Sequence, residues 1–235
     1  MIDLKKESPA NVIILSCSKY KYGNKSFKHY SKSWNRIKEN FGEILTFIFY
    51  GDESQDTLFN FNRDQKVLSI KTSDEYENIP LKTWLAYYYW YNKYESRKKT
   101  LITFGDDCEL RNIRLFLNTS FDKIYYGGIT IHGLDFDNRW HENKVIKSSY
   151  QKGKISPRPK RKTKWVHEGS GVVFHEKTIN ILLQPYNFEN EYDRNKFLKF
   201  VKETCWYNDV LLSHLLVEYH IYPIKIPFYG IKGDI

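Results

Sequence analysis

The 235-residue chain has only three cysteines, Cys17, Cys108 and Cys205, and a single methionine. Three cysteines, odd in number and far apart, argue against a disulfide framework and against a zinc site, and suit a reducing compartment. No apolar run reaches the ~18 residues that a membrane-spanning helix requires. The first ten residues, Met1 to Ala10, are polar and charged, without the apolar core of a signal peptide. A soluble, cytoplasmic protein with no membrane span is the expectation. Also missing are a Gly-x-Gly-x-x-Gly fingerprint and a Gly-Lys-Ser/Thr phosphate loop, which argues against the common dinucleotide and P-loop sites. No internal repeat is evident.

What the chain has in abundance is aromatic side chains: 17% of residues, with 19 Tyr and 15 Phe. That content separates it from disordered sequences despite 28% charged residues. The length suits one domain with one large core, spanning 1–235. The net charge of +9 is local in origin. Residues 144–164 hold nine Lys and Arg and no Asp or Glu, and the rest of the chain has 28 basic against 28 acidic residues. Gly153, Pro157 and Pro159 mark this segment as a loop. It reads either as a solvated basic loop or as a site for phosphate or a polyanion.

Hydrophobic patterning predicts strands at Asn11–Leu15, Leu45–Tyr50, Val67–Ile70 and Thr100–Phe104, with helices over Lys28–Asn40 and Leu81–Tyr94. Pro80 stands at the entry to the second helix, where its missing N–H costs nothing. Further on, strands are expected at Ile124–Ile129 and near Val172–Phe174, and helices at Thr178–Leu183, Glu191–Val201 and Trp206–Leu216. Alternating strands and helices over the first ~110 residues indicate an α/β fold, with a mostly parallel central sheet flanked by helices. In such sheets ligands bind beyond the carboxyl ends of the strands. Ser16, Asp52, Asp106 and Asp107 each follow such an end, so they are expected to converge on one crevice.

The run Thr100-Leu101-Ile102-Thr103-Phe104-Gly105-Asp106-Asp107-Cys108-Glu109 stops at two adjacent carboxylates. Burying carboxylates at a strand end carries a desolvation cost. A divalent cation offsets it, because Mg²⁺ and Mn²⁺ prefer hard oxygen ligands. For the tripeptide Gly105-Asp106-Asp107 alone, a strand that ends in a plain acidic turn is the favoured alternative. Asp209, ahead of the apolar run Val210–Leu216, suits a helix N-cap.

Four stretches stand in order along the chain: Asn78–Thr83, Phe104–Cys108, Glu168–Val173 and Asn208–Val210. Together they resemble the fringe-type or β-1,3-galactosyltransferase-like glycosyltransferases of the GT-A fold. Asn78-Ile79-Pro80-Leu81-Lys82-Thr83 is similar to that family's Asn-Leu-Thr-Leu-Lys-Thr, and Phe104-Gly105-Asp106-Asp107-Cys108 to its strand ending in three aspartates. Glu168-Gly169-Ser170-Gly171-Val172-Val173 resembles its Ser-Gly-Gly-Gly-Tyr segment, and Asn208-Asp209-Val210 its Glu-Asp-Val. Ser33-Trp34 is a weaker echo of Thr-Trp, and the likeness covers about Asn11 to Phe228. It implies that Asp107 and Asp106 hold a Mn²⁺ (or Mg²⁺) ion and that Asp209 is the catalytic base. It also sets Gly169, Ser170 and Gly171 at the donor sugar and acceptor, and Ser16 and Lys82 near the nucleotide; Asp52, from its place past a strand end, is the further candidate for binding the nucleotide-sugar. A nucleotide-binding half would occupy about 11–110 and an acceptor and catalytic half about 111–235. Gly105 replaces the family's first aspartate, and Tyr229 a metal-binding histidine. The Gly-Asp-Asp stretch is also similar to the Glu-Asp-Asp of the lipopolysaccharide and collagen galactosyltransferases.

The resemblance implies an inverting transfer of sugar from a nucleotide-sugar, expected to be a UDP-sugar, to a hydroxyl of a glycan or glycoprotein. Two other functions compete with it. One is a nucleic-acid-binding module using residues 144–164, which would leave the three aspartates without purpose. The other is an inactive glycan-binding relative.

Overall fold

The computed structural model describes residues 8–16, 28–75, 78–106, 108, 110, 113–128, 130–133, 156–157 and 163–226. Asp107, Tyr229 and most of the basic segment 144–164 lie outside the described residues.

The centre is an eight-stranded sheet in the order β10-β6-β9-β5-β1-β2-β4-β3. Its strands are β1 (Asn11–Leu15), β2 (Leu45–Gly51), β3 (Phe59–Asn62), β4 (Val67–Ile70), β5 (Thr100–Gly105), β6 (Tyr126–Gly128), β9 (Val172–His175) and β10 (Ile224–Lys225). Strands β5, β1, β2 and β4 run parallel, as do β6 and β10. Two strands run the other way: β3 against β4, and β9 between β5 and β6. A two-stranded ladder of β7 (Ile131–His132) and β8 (Trp165–Val166) stands apart. The chain is therefore α/β with a mostly parallel central sheet flanked by helices. Among the described residues, no helix is long and apolar enough to cross a membrane.

Strand β1 shows why the sheet is covered on both faces. Ile13 enters one apolar cluster with Phe47, Phe49, Leu101 and Phe174, whereas Val12 and Ile14 enter another with Ile37, Phe41, Phe104 and Phe116. Successive strand residues point to opposite faces, so a strand buried on both sides is a continuous apolar run. Helices α1 (Lys28–Phe41) and α3 (Ile113–Asn118) cover the second cluster. The first is covered by α2 (Ile79–Asn92), α4 (Glu176–Leu183), α5 (Glu191–Thr204) and α6 (Asn208–Glu218).

Helix α2 is the keystone of that layer. It touches β2 and β4 on one side and α4, α5 and α6 on the other. Leu81, Trp84, Leu85, Ala86, Tyr87 and Trp90 are all buried. A helix apolar around its whole circumference needs such enclosure.

The glycines of β6 reflect a close approach. A Cβ on Gly128 would lie 2.0 Å from Val166 Cγ1 and 2.8 Å from the Gly171 carbonyl oxygen. Only a residue without a side chain lets β8 and the turn before β9 close over this strand end.

Candidate functional site at the carboxyl edge

Strands β5, β1, β2 and β4 end side by side, and Leu15 stands opposite Gly105 in the ladder. The next residue on each strand is Ser16 and Asp106, whose side chains meet: Ser16 Oγ donates to Asp106 Oδ2 at 3.0 Å. Arg36 Nη2 of α1 donates to the Asp106 carbonyl at 2.9 Å. Two residues 90 apart in sequence are thus joined because parallel strands deliver both to one edge.

Behind them lies a buried ion pair. Lys82 Nζ, in the first turn of α2, sits 2.5 Å from Asp74 Oδ1, and both side chains are buried. The ammonium also donates to the Ser16 carbonyl at 3.0 Å, and Asp74 Oδ1 accepts from the Gly51 amide at 2.9 Å. The ends of β1 and β2 are held by this pair. Asp52 makes a local turn instead, with Oδ1 accepting from the Ser54 amide at 3.0 Å and the Ser54 hydroxyl at 2.6 Å.

The second wall comes from the other half of the chain. Because β9 runs antiparallel to β5, with Thr103 opposite Val172, the turn that precedes β9 sits at the carboxyl end of β5. That turn is a 3₁₀ segment, Glu168–Ser170, closed by Gly171 at φ +107°. The Gly171 amide donates to the Glu168 carbonyl at 3.1 Å, and Cys108 Sγ donates to the Gly169 carbonyl. The Ser170 hydroxyl donates to the His167 carbonyl at 3.1 Å and lies 3.2 Å from His167 Nδ1.

Glu168 is buried, and its two oxygens tie three elements together. Oε1 accepts from Tyr87 OH of α2 at 3.1 Å, and Oε2 from Asn208 Nδ2 of α6 at 2.7 Å. Burial pushes its pKa up to about 7, partly opposed by the bonds from Asn208 and Tyr87 and by the charge of Lys82. Desolvation, with Glu168 beside it, also raises the Tyr87 phenol well above the usual range.

Asp209 is buried at the start of α6. It is not the N-cap: the helix begins one residue earlier, with Tyr207 in the capping position. Asp209 Oδ1 accepts from the Val210 amide at 2.9 Å, and its carbonyl accepts from the Ser213 hydroxyl at 3.0 Å. Ser213 Oγ is 2.5 Å from Tyr126 OH, and the charges of both Asp209 and Glu168 act on that phenol.

Contacts therefore run from Asp106 through Ser16 to Lys82, whose charge acts on Glu168, and from Glu168 to Asn208, the neighbour of Asp209. Sequence reasoning names Ser16, Lys82, Asp106, Asp209 and the glycine turn. Asp74 and Tyr87 carry no such mark, and Glu168 and Asn208 enter only as parts of motifs. A charged residue followed by Gly-x-Gly ahead of an apolar strand is the one signal that could single out Glu168.

His175 acts as a helix cap, its Nδ1 accepting from the Lys177 amide at 3.1 Å at the start of α4. Among the described residues, no group of three or more His, Cys, Asp or Glu is placed to hold a metal ion. Compared with known proteins, the chain matches no protein-family model and no curated protein sequence.

Proposed function

We propose that the chain is a metal-dependent glycosyltransferase that moves a sugar from a nucleotide-sugar, in the first instance a UDP-sugar, to a hydroxyl of a glycan. The observation that carries this reading is the meeting of two distant chain halves at the carboxyl edge. One half brings oxygen donors, Asp106 and Ser16. The other brings a glycine turn, whose Glu168 binds Asn208, the chain neighbour of the buried Asp209.

The donor set fits a hard cation. Mg²⁺ and similar ions are commonly held by one or two carboxylates together with substrate phosphates, so a cage of three protein carboxylates is not required. Asp107 with Asp106 would hold the ion, which when bound stabilises the negative charge on the departing diphosphate.

The remaining work belongs to the chain. Lys82, fixed by Asp74, holds the Ser16 carbonyl and so keeps Ser16 facing Asp106. The Gly169–Gly171 turn, with the Ser170 hydroxyl bonded back to the His167 carbonyl, offers its backbone to the sugar. Asp209 accepts the proton of the attacking hydroxyl, which a positioned carboxylate can do at a rate gain of about 10²–10⁴. A base opposite the leaving group gives inversion at the anomeric carbon, the stereochemistry that the family resemblance implies.

A screen of UDP- and GDP-sugars, with and without Mn²⁺, tests the reading by thermal shift and donor hydrolysis. The expected result is stabilisation by one nucleotide class only in the presence of metal, with slow donor consumption. Salt-sensitive oligonucleotide binding without any response to donor would instead favour the nucleic-acid function. Glycan binding without donor consumption would favour an inactive relative.

A further inference from the structure

We infer that Glu168 is a positioning residue whose carboxyl group fixes the start of α6, and with it Asp209, against the glycine turn and the Tyr87 face of α2. The inference rests on the proposed reading only in taking Asp209 as the proton acceptor. Its physical basis is the pair of bonds from Tyr87 and Asn208, which join α2, the 3₁₀ turn and α6 through one side chain.

The pair is built to exist in two forms. Asn208 is 5% exposed, and its Oδ1 has no hydrogen-bond partner among the described residues, while its Nδ2 is spent on Glu168. A buried amide oxygen without a donor costs free energy. Protonation of Glu168 supplies a donor: after an amide flip, the carboxyl O–H reaches Asn208 Oδ1. Ionised and protonated carboxyl therefore orient Asn208 in opposite ways, and Asn208 is the first residue of α6. Burial brings the carboxyl pKa to about 7, so both forms are populated near neutrality.

The charged and titratable groups that act on Glu168 or on its partners are Lys82 and Tyr87 of α2, Tyr126 of β6 and, through Tyr126, Asp209 of α6, while His167 precedes it in the chain. Lys82 opposes protonation. Desolvation holds the Tyr87 and Tyr126 phenols above their ordinary range, so they stay neutral across the interval in which Glu168 titrates.

The test uses the full ¹⁵N-labelled chain, wild type and Glu168→Gln, followed by NMR from about pH 5.5 to 8.5, an interval that brackets the raised carboxyl, without any donor. Glutamine keeps the shape and both contacts: its oxygen accepts from Tyr87 and its amide donates to Asn208 Oδ1. In the wild type, the Asn208 side-chain amide and the Val210 backbone amide, which binds Asp209 Oδ1, should titrate together with a midpoint of about 7. Both should become flat in Glu168→Gln. An Asn208 amide that titrates beside a flat Val210 amide would overturn the inference, because Glu168 would then not reach Asp209. So would a wild-type spectrum without titration at either position. Donor consumption, measured separately on the same samples, decides the glycosyltransferase reading and leaves the amide result intact.

Discussion

Lys82 and Asp74 form an ion pair at 2.5 Å, with side-chain exposures of 2% and 4%. Their bonds reach the Ser16 carbonyl and the Gly51 amide, so one pair pins the ends of β1 and β2 to the loop before α2. Removing one partner of a buried pair leaves the other charge stranded, at a cost of about 3–5 kcal/mol. Lys82→Met and Asp74→Asn are each expected to lower urea-unfolding stability by an amount of this order. The double variant is expected to lose less than the sum of the two. An additive double-mutant cycle would show that the pair does not act as a unit.

Glu168 gives stability a pH dependence of definite sign. Its folded pKa, about 7, lies above the unfolded value of 4.5, so the folded state holds the extra proton between these limits. Its contribution is full below pH 4.5 and is lost as pH rises through 7, by on the order of 3 kcal/mol. Glu168→Gln should remove this slope and, at about pH 8, unfold at higher temperature than the wild type. Parallel pH–stability curves for the two proteins would contradict the assignment.

Gly128 is expected to tolerate no side chain. A methyl group there meets Val166 Cγ1 at 2.0 Å and the Gly171 carbonyl at 2.8 Å. Overpacking of this kind costs about 1–3 kcal/mol. Val166→Ala added to Gly128→Ala should restore only part of the loss, since the backbone oxygen cannot be trimmed. Thermal unfolding of the single and double variants measures both effects.

The two carboxylate roles should separate in kinetics. Asp209→Asn is expected to keep metal-dependent donor binding and lose transfer by about 10²–10⁴. Asp107→Ala should lose the metal-dependent binding itself. Full transfer by Asp209→Asn would remove it as the proton acceptor.

The parts of the fold legible in the sequence are those with enough residues to show a period. The strands β1, β2, β4 and β5 are apolar runs ended by polar or glycine residues, and α2 is an uninterrupted aromatic stretch after Pro80. The strand β3 is as short as β4 but alternates Phe and Asn with no residue fully buried, so it lacks the apolar run that marks β4, and β7, β8 and β10, of two residues each, leave no pattern; their partners define them. The same division holds at the site. Ser16 and Asp106 can be found because strand ends mark them. Asp74 and Tyr87 cannot, and Asn208 shows only as part of a motif, because each matters through a side-chain contact that no local spacing encodes.

The reversed strand β9 has a consequence for synthesis of the chain. Until residue 172 has left the ribosome, β5 has a neighbour on only one flank, and all six of its residues belong to the buried centre of the finished sheet. Such an apolar border, with its amides and carbonyls unanswered, is a template for sticking to other chains. A nascent chain of which about 106 to 171 residues have emerged would carry this open border, and the arrival of Val172–His175 would close it.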